Sequence, residues 1–316
     1  MRVADISLDK LESVSDLISA FRAAGGFMAR HLAEAYEILR EALLDEETTV
    51  FMSFTANVVA TGLRGVIRDM IRLGWVDVVI TTCGSWDHDI ARALGAYEEG
   101  SFGDDDRGLR RMGIHRLGNI RVPRDAYGPA IERYVRRVLE DIHRARGVKE
   151  VSTHELSWEL GKGLGEDSFL HWAWRRRIPV IVPGPYDGAV GSQIWVYQQV
   201  NRDFKIDMWR DEQLLSDAVF EAKRAAAIIV GGGISKHHLL WWNQFREGLD
   251  YAVQITTAVE WDGSLSGARL DEAISWGKVR EGARQVTVWA DATIALPILA
   301  AALYREVGAR KRGPRT

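Results

Sequence analysis

The sequence predicts an α/β fold built as a doubly wound, mainly parallel sheet, and three observations carry that reading. Apolar runs with buried-strand character recur near residues 49, 77, 178, 225, 251 and 286. Helical apolar periodicity fills the intervals between them. The first complete repeat, strand–helix–strand over 49–82, is a βαβ unit, which implies parallel strands joined by a right-handed crossover.

In order, residues 8–45 predict helix, with Phe27, Leu32, Ala35, Ile38, Leu39 and Leu43 at a helical period and a break at Gly25-Gly26. TVFMSFT (49–55) reads as a buried strand. The next stretch, ANVVATGLRGVIRDMIRLG, places Val58, Val59, Leu63, Val66, Ile67, Met70 and Ile71 on one helical side. Strand VDVVITT (76–82) ends in CGSWDHD. Ligands of such sheets sit beyond the carboxyl ends of the strands, which singles out Thr55-Ala56-Asn57 and Thr82-Cys83-Gly84. Residues 98–112, charged and glycine-containing, read as an exposed loop. Helices are expected over roughly 126–146, 153–164 and 203–224, with strands at 178–184, 225–230, 251–256 and 286–291. An apolar helix to about Val307 closes the chain, and GARKRGPRT reads as a basic flexible tail.

The 316 residues suffice for a large core, and a net charge of −3 gives no global field for nucleic acid. The one cysteine, Cys83, rules out an intramolecular disulfide framework and suits a reducing compartment. No signal-peptide pattern opens the chain, and no run approaches the ~20 apolar residues of a membrane span. The expectation is a cytoplasmic protein without membrane or nucleic-acid partners. Twelve tryptophans are many, and aromatic walls both fill cores and bind ammonium groups.

Two stretches carry chemistry. Gly231-Gly232-Gly233 follows a strand and precedes a helix, where glycine lets the backbone approach a pyrophosphate at the helix N-terminus. A tight turn needs glycine equally, and G-x-G-x-x-G is absent. The adjacent His237 and His238 lack a Cys/His set that would complete a metal site, so no metal is expected. A neutral-range proton carrier is the sharper reading of His237, and a structural histidine the plainer one. Asp187, Asp262 and Asp291 at strand ends suit hydroxyl or ammonium partners, or helix N-caps. The second stretch, TAVEWDGSLSGARLDEAISWGK (257–278), ends in a lysine after a Trp-Gly step. An imine-forming lysine needs a desolvating neighbour so that neutral amine exists near pH 7. On residue type alone, a solvated surface lysine is the commoner case.

The second stretch resembles deoxyhypusine synthase. Asp262 to Lys278 matches the family signature D-G-S-x-S-G-A-[RK]-x-[DE]-E-A-[VI]-S-W-G-K almost throughout, and HRLGNIRVP (115–123), AFRAAGGFMARHLAEA and GGGISKHH (231–238) resemble further family segments. The resemblance runs from about Leu17 to Leu303. It implies a Rossmann-like NAD-binding domain over 49–308, a helical segment 1–48 packed on it, and a tail 309–316. Longer members carry an N-terminal extension over the site entrance; little precedes the matched segment here, so a member without it is expected.

The resemblance assigns Lys278 as nucleophile and His237 as the active-site histidine. NAD contacts fall on Asn57, Thr82, Gly84, Asp187, Gly232, Thr257, Ala258, Ser266, Asp291 and Ala292. Glu272 and Trp276 match the acid and ring that hold the polyamine, beside Asp262, Gly263 and Ser264. The implied reaction moves the 4-aminobutyl group of spermidine, through an imine on Lys278, to a lysine of the precursor of translation factor 5A. A homotetramer is implied as well. Some positions depart from the pattern: a glutamate near the cofactor is His88, two spermidine-contacting acids fall on Ser192 and Leu265, and an asparagine on Trp241. Those changes leave open a homospermidine synthase-type or agmatine-using enzyme, or a silent NAD-binding homologue.

Overall fold

The computed structural model describes residues 2–310, and the chain forms two compact units. Of the described residues, the first unit holds 2–54, 70–80 and 213–310. Its centre is a parallel sheet whose strands lie in the order Val279–Trp289, Leu249–Thr256, Arg224–Val230, Thr48–Phe54, Val78–Ile80. Every residue of Thr48–Phe54 is buried, as is all of Arg224–Val230 after its first. These strands are β-rich apolar runs because both sheet faces are covered.

Chain order along the sheet reverses between Thr48–Phe54 and Arg224–Val230, which run in register from Thr48↔Arg224 to Phe54↔Val230. A crevice beyond the carboxyl ends at such a reversal is where α/β sheets bind ligands. Gly231-Gly232-Gly233 emerges there, so the fold carries the triple glycine to the expected place.

Helix Phe27–Leu44 buries Leu32, Ala35, Ile38, Leu39 and Leu43 as its period predicts. Phe27 is the exception at 95% exposed. It follows Gly25-Gly26, where Gly25 caps the preceding helix Val14–Ala24 in the left-handed conformation, and Phe27 itself has φ 45°. The chain reversal therefore throws that ring outward. The strand expected over 286–291 is longer, Val279–Trp289, and the last helix, Ala292–Val307, is capped by Asp291. Of the basic tail expected over 309–316, residues 311–316 lie outside the described part. Arg310 is buried, donating from its main chain to Leu73 O and from its guanidinium to the carbonyls of Asp45 and Thr48.

The second unit holds residues 55–69 and 81–212. The helix expected after the first strand is split into Ala56–Val59 and Leu63–Arg72. Thr61 makes the break, because its hydroxyl donates to Val58 O and accepts from Leu63 N, competing with the helical ladder. The loop expected over 98–112 is ordered structure instead. Glu98–Glu99, Ile120–Pro123 and Ile114–Leu117 form a three-stranded antiparallel sheet, and Asp106–Arg111 is a short helix. Arg121 and Arg116 hold Asp104 and Asp106 through paired bonds of 2.6–2.8 Å, so these charges brace the hairpin rather than solvate a loop. Helix Thr153–Lys162 begins with a capping box of Ser152 and Glu155. The helix expected over 126–146 is Arg124–Glu140, which widens into a five-residue π-turn at Asp141–Ala145. No described helix is long and apolar enough to cross a membrane.

Candidate active site

The first unit gathers most of the expected residues at the carboxyl end of its sheet. Helix Gly233–Asn243 starts at the glycine turn, with Gly231 at φ 83° and Gly233 at φ 66°, both left-handed. No side chain caps this helix at Gly232. Its first amides and the positive end of its dipole make an anion cradle. A Cβ on Gly232 would stand 2.3 Å from the Ser266 Cα, so glycine is required for the turn and the signature loop to touch. Gly233 N donates to Ser266 Oγ at 3.2 Å. These features fit the pyrophosphate of a dinucleotide. Thr257 and Ala258 leave the strand Leu249–Thr256, and Ala258 N donates to Thr256 Oγ1 at 3.1 Å. Asp291 is a helix N-cap, accepting from Thr293 N and Oγ1 on the same oxygen, Oδ1, with Ala292 the first helical residue.

Lys278 is not a solvated surface lysine. It is 9% exposed, and its Nζ stands 5.0 Å from the Trp276 ring centre and 5.7 Å from that of Trp241. The two tryptophans themselves are 63% and 43% exposed. The Gly277 turn makes this possible. With φ 66°, it lets the chain reverse straight after helix Leu270–Ser275, so that Lys278 N returns to Ala273 O and Lys278 O accepts from Leu249 N. His237 stacks on Trp241 with ring centres 5.8 Å apart. Burial first, then the Lys278 charge and His238, push the His237 pKa below the usual imidazole value. Lysine, indoles and neutral imidazole thus form one group.

Glu272 lies on Leu270–Ser275, exposed, and forms no ion pair with Lys278 among the described residues. Asp262 accepts from Ser264 N at 2.7 Å, and bonds from Ser264 hold its carboxyl below the ordinary range; Gly263 between them has φ 72°. Leu265 lies in the same loop, half-buried.

Asn57, Thr82, Gly84 and Asp187 belong to the second unit. Asn57 Oδ1 accepts from Thr55 Oγ1 at 2.5 Å, Thr82 precedes helix Cys83–Leu94, and Asp187 is exposed. A Cβ on Gly84 would meet the Ala56 Cβ at 2.8 Å. Beside them Asp87, fully buried, accepts from Ala189 N, Val190 N and Tyr127 Oη at 2.7–2.8 Å. Its pKa is raised by burial against those bonds. His88 contacts Tyr97 Oη at 2.8 Å and lies against the Tyr127 ring; burial, then the Arg92 charge, lowers its pKa to about 4. A neutral imidazole therefore stands where the resemblance expects a carboxylate.

Sequence reasoning passed over Lys236, Gln254 and Asp87. Gln254 carried a signal, as an amide inside the apolar strand YAVQIT, and it is fully buried. Lys236 lay unassigned within the quoted GGGISKHH segment.

The deoxyhypusine synthase family model matches residues 16–303. A Picrophilus torridus protein described as "Probable deoxyhypusine synthase" is 51% identical over 300 residues, covering 95% of this chain and 96% of its own. A protein of the same description from Sulfolobus acidocaldarius is 50% identical over 305 residues, covering 96% and 97%. Among solved structures, a candidate deoxyhypusine synthase from Entamoeba histolytica superposes with a TM-score of 0.68 at 17% identity, covering 98% of this chain and 99% of the other. That last likeness concerns the fold alone.

Proposed function

The chain belongs to the deoxyhypusine synthase family, a family of aminobutyl transferases, and on that premise we propose that Lys278 carries a four-carbon amine as an imine between donor and acceptor. The observation that carries this reading is the Lys278 side chain held between Trp276 and Trp241. Spermidine is the donor and a lysine of the translation factor 5A precursor the acceptor.

NAD is the cofactor, and when bound it supplies a hydride acceptor for the donor amine and a hydride donor for the product. The glycine turn Gly231–Gly233 and the helix behind it take its pyrophosphate, with Ser266, Thr257, Ala258, Asp291 and Ala292 around them; in the second unit, Asn57, Thr82, Gly84 and Asp187 are the positions that the resemblance assigns to the cofactor. Lys278 Nζ attacks the oxidised carbon of the donor, displacing 1,3-diaminopropane and forming the enzyme imine. The acceptor lysine then attacks the same carbon and displaces Lys278. Each exchange moves protons between amines, and the basic ring nitrogen of His237 takes and returns them because its imidazole is neutral at pH 7. Trp276 and Trp241 exclude water that would hydrolyse the imine. Glu272, with Asp262, Gly263 and Ser264, receives the distal ammonium of the donor. The assembly is a homotetramer.

A second reading concerns the donor. Trp241, Ser192 and Leu265 stand at positions where the resemblance expects an amide and two carboxylates, which favours a less cationic amine such as agmatine, or a homospermidine-type transfer to a free amine. Borohydride reduction of the protein incubated with NAD and spermidine, followed by mass spectrometry of the digest, tests both. A four-carbon amine on the Lys278 peptide, absent in Lys278→Arg, supports the first reading. An adduct with agmatine or putrescine alone selects the second. No adduct with any amine removes the imine mechanism and leaves an NAD-binding homologue without turnover.

A further inference from the structure

We infer that Lys236 is a positioning residue: its side-chain nitrogen ties the turn Ser264–Ala268 to the sheet and so holds Ser266 against the Gly231–Gly233 turn. Lys236 is 1% exposed, among the largest fully buried side chains of the protein. Its Nζ lies 2.6 Å from Ala268 O, 2.8 Å from Leu265 O and 3.0 Å from Gln254 Oε1. An ammonium has three N–H donors and no acceptor, so three oxygens at these distances use it completely. A neutral amine would leave one of the three oxygens without its donor. No carboxylate among the described residues bonds to the group; Glu272 acts on it only through its field.

The two carbonyls it binds flank Ser266, and the remaining bonds of the cluster converge on that residue. Gln254 Nε2 donates to Ser266 O at 3.0 Å and to Gly231 O at 3.4 Å, and Thr256 Oγ1 donates to Ser266 O at 3.2 Å. Ser266 Oγ in turn accepts from Gly233 N. A buried lysine is costly unless its hydrogen bonds are complete, and here the completed set spans helix Gly233–Asn243, strand Leu249–Thr256 and the signature loop. Of the positions assigned to the amine, its hydrogen bonds reach Leu265 alone, at the main-chain carbonyl; its effect passes through Ser266 and the glycine turn.

The inference rests on the reading that this turn receives NAD, and the test separates the two. Full-length Lys236→Met, nearly isosteric and uncharged, is compared with the wild type by amide hydrogen exchange and by NAD titration. Exchange in the 262–270 peptide is expected to accelerate at least about tenfold, from the loss of charge-assisted bonds, while peptides of strand Thr48–Phe54 keep their protection. The KM for NAD rises by a similar factor, and kcat at saturating NAD changes by less than about threefold, as for a group acting through cofactor binding. Gln254→Met removes one arm of the same cluster and is expected to give a smaller change of the same kind, which keeps the test open where Lys236→Met does not fold. Unchanged exchange in 262–270 overturns the inference, and so does a uniform loss of protection across the sheet. Local acceleration in a protein whose wild type binds no NAD sustains the tie while removing the cofactor reading.

Discussion

Gly232→Ala is the sharpest single-atom probe of the candidate site. Gly232 has φ −160°, which any residue adopts, so the effect is purely steric. The added methyl would lie 2.3 Å from Ser266 Cα, 2.4 Å from its Oγ and 2.6 Å from its Cβ, where ordinary contact begins at 3.4 Å. Ser266 must therefore retreat by about 1 Å, and overpacking of this kind costs about 1–3 kcal/mol. The retreat strains the bonds on Ser266 O from Gln254 and Thr256 and the bond from Gly233 N to Ser266 Oγ, each worth roughly 1 kcal/mol. A loss of about 2 kcal/mol lowers Tm by roughly 3 °C in a chain of 316 residues. Differential scanning calorimetry and NAD titration read the two consequences, a lower Tm and weaker NAD binding. Ser266→Gly in the same chain removes the Oγ and Cβ clashes and leaves the Cα clash, so rescue is expected to be partial. A wild-type Tm and NAD affinity in Gly232→Ala would mean that Ser266 yields to the methyl at no cost and that the contact does not shape the turn. Full rescue by Ser266→Gly would show that the side chain, not the main chain, sets the limit.

Two further outcomes follow from buried charge. Arg64 is 5% exposed and holds the fully buried Asp89 at 2.5 Å, so Arg64→Met is expected to cost about 3–5 kcal/mol in urea unfolding by stranding the carboxylate. A loss below about 1 kcal/mol would mean that the bonds from Ser168 and Leu170 to Asp89 suffice alone. His88, with its pKa lowered from 6.5 to about 4, binds its proton more readily unfolded than folded between those values. Its contribution is therefore complete above pH 6.5 and is lost as pH falls to 4, on the order of 3 kcal/mol. Stability curves of wild type and His88→Phe over this window are expected to diverge accordingly, and parallel curves would count against a neutral, half-buried His88.

Patterns of period and composition settle within a dozen residues, and these were legible. TVFMSFT, AAAIIV and YAVQIT are strands because uninterrupted β-rich apolar runs find burial only inside a covered sheet. Gly25-Gly26 ends a helix for the local reason that glycine alone accepts left-handed backbone freely. The signature ending in Trp276-Gly277-Lys278 marked the lysine, and the Gly277 reversal explains how so short a segment turns it inward.

Tertiary structure decided where partners are distant along the chain. The run around Asp104–Asp106 looks like a solvated loop until Arg116 and Arg121 are brought to it. Arg310 looks like part of a frayed end until Leu73, Asp45 and Thr48 supply its acceptors. Lys236 looks like any helical lysine, since nothing within its own helix shows that Gln254, Leu265 and Ala268 will close over it. Local sequence determines backbone conformation through sterics and periodicity that act over a few residues. Whether a charge is solvated or buried depends on which remote oxygens the fold brings within about 3 Å, and only the folded chain sets that distance.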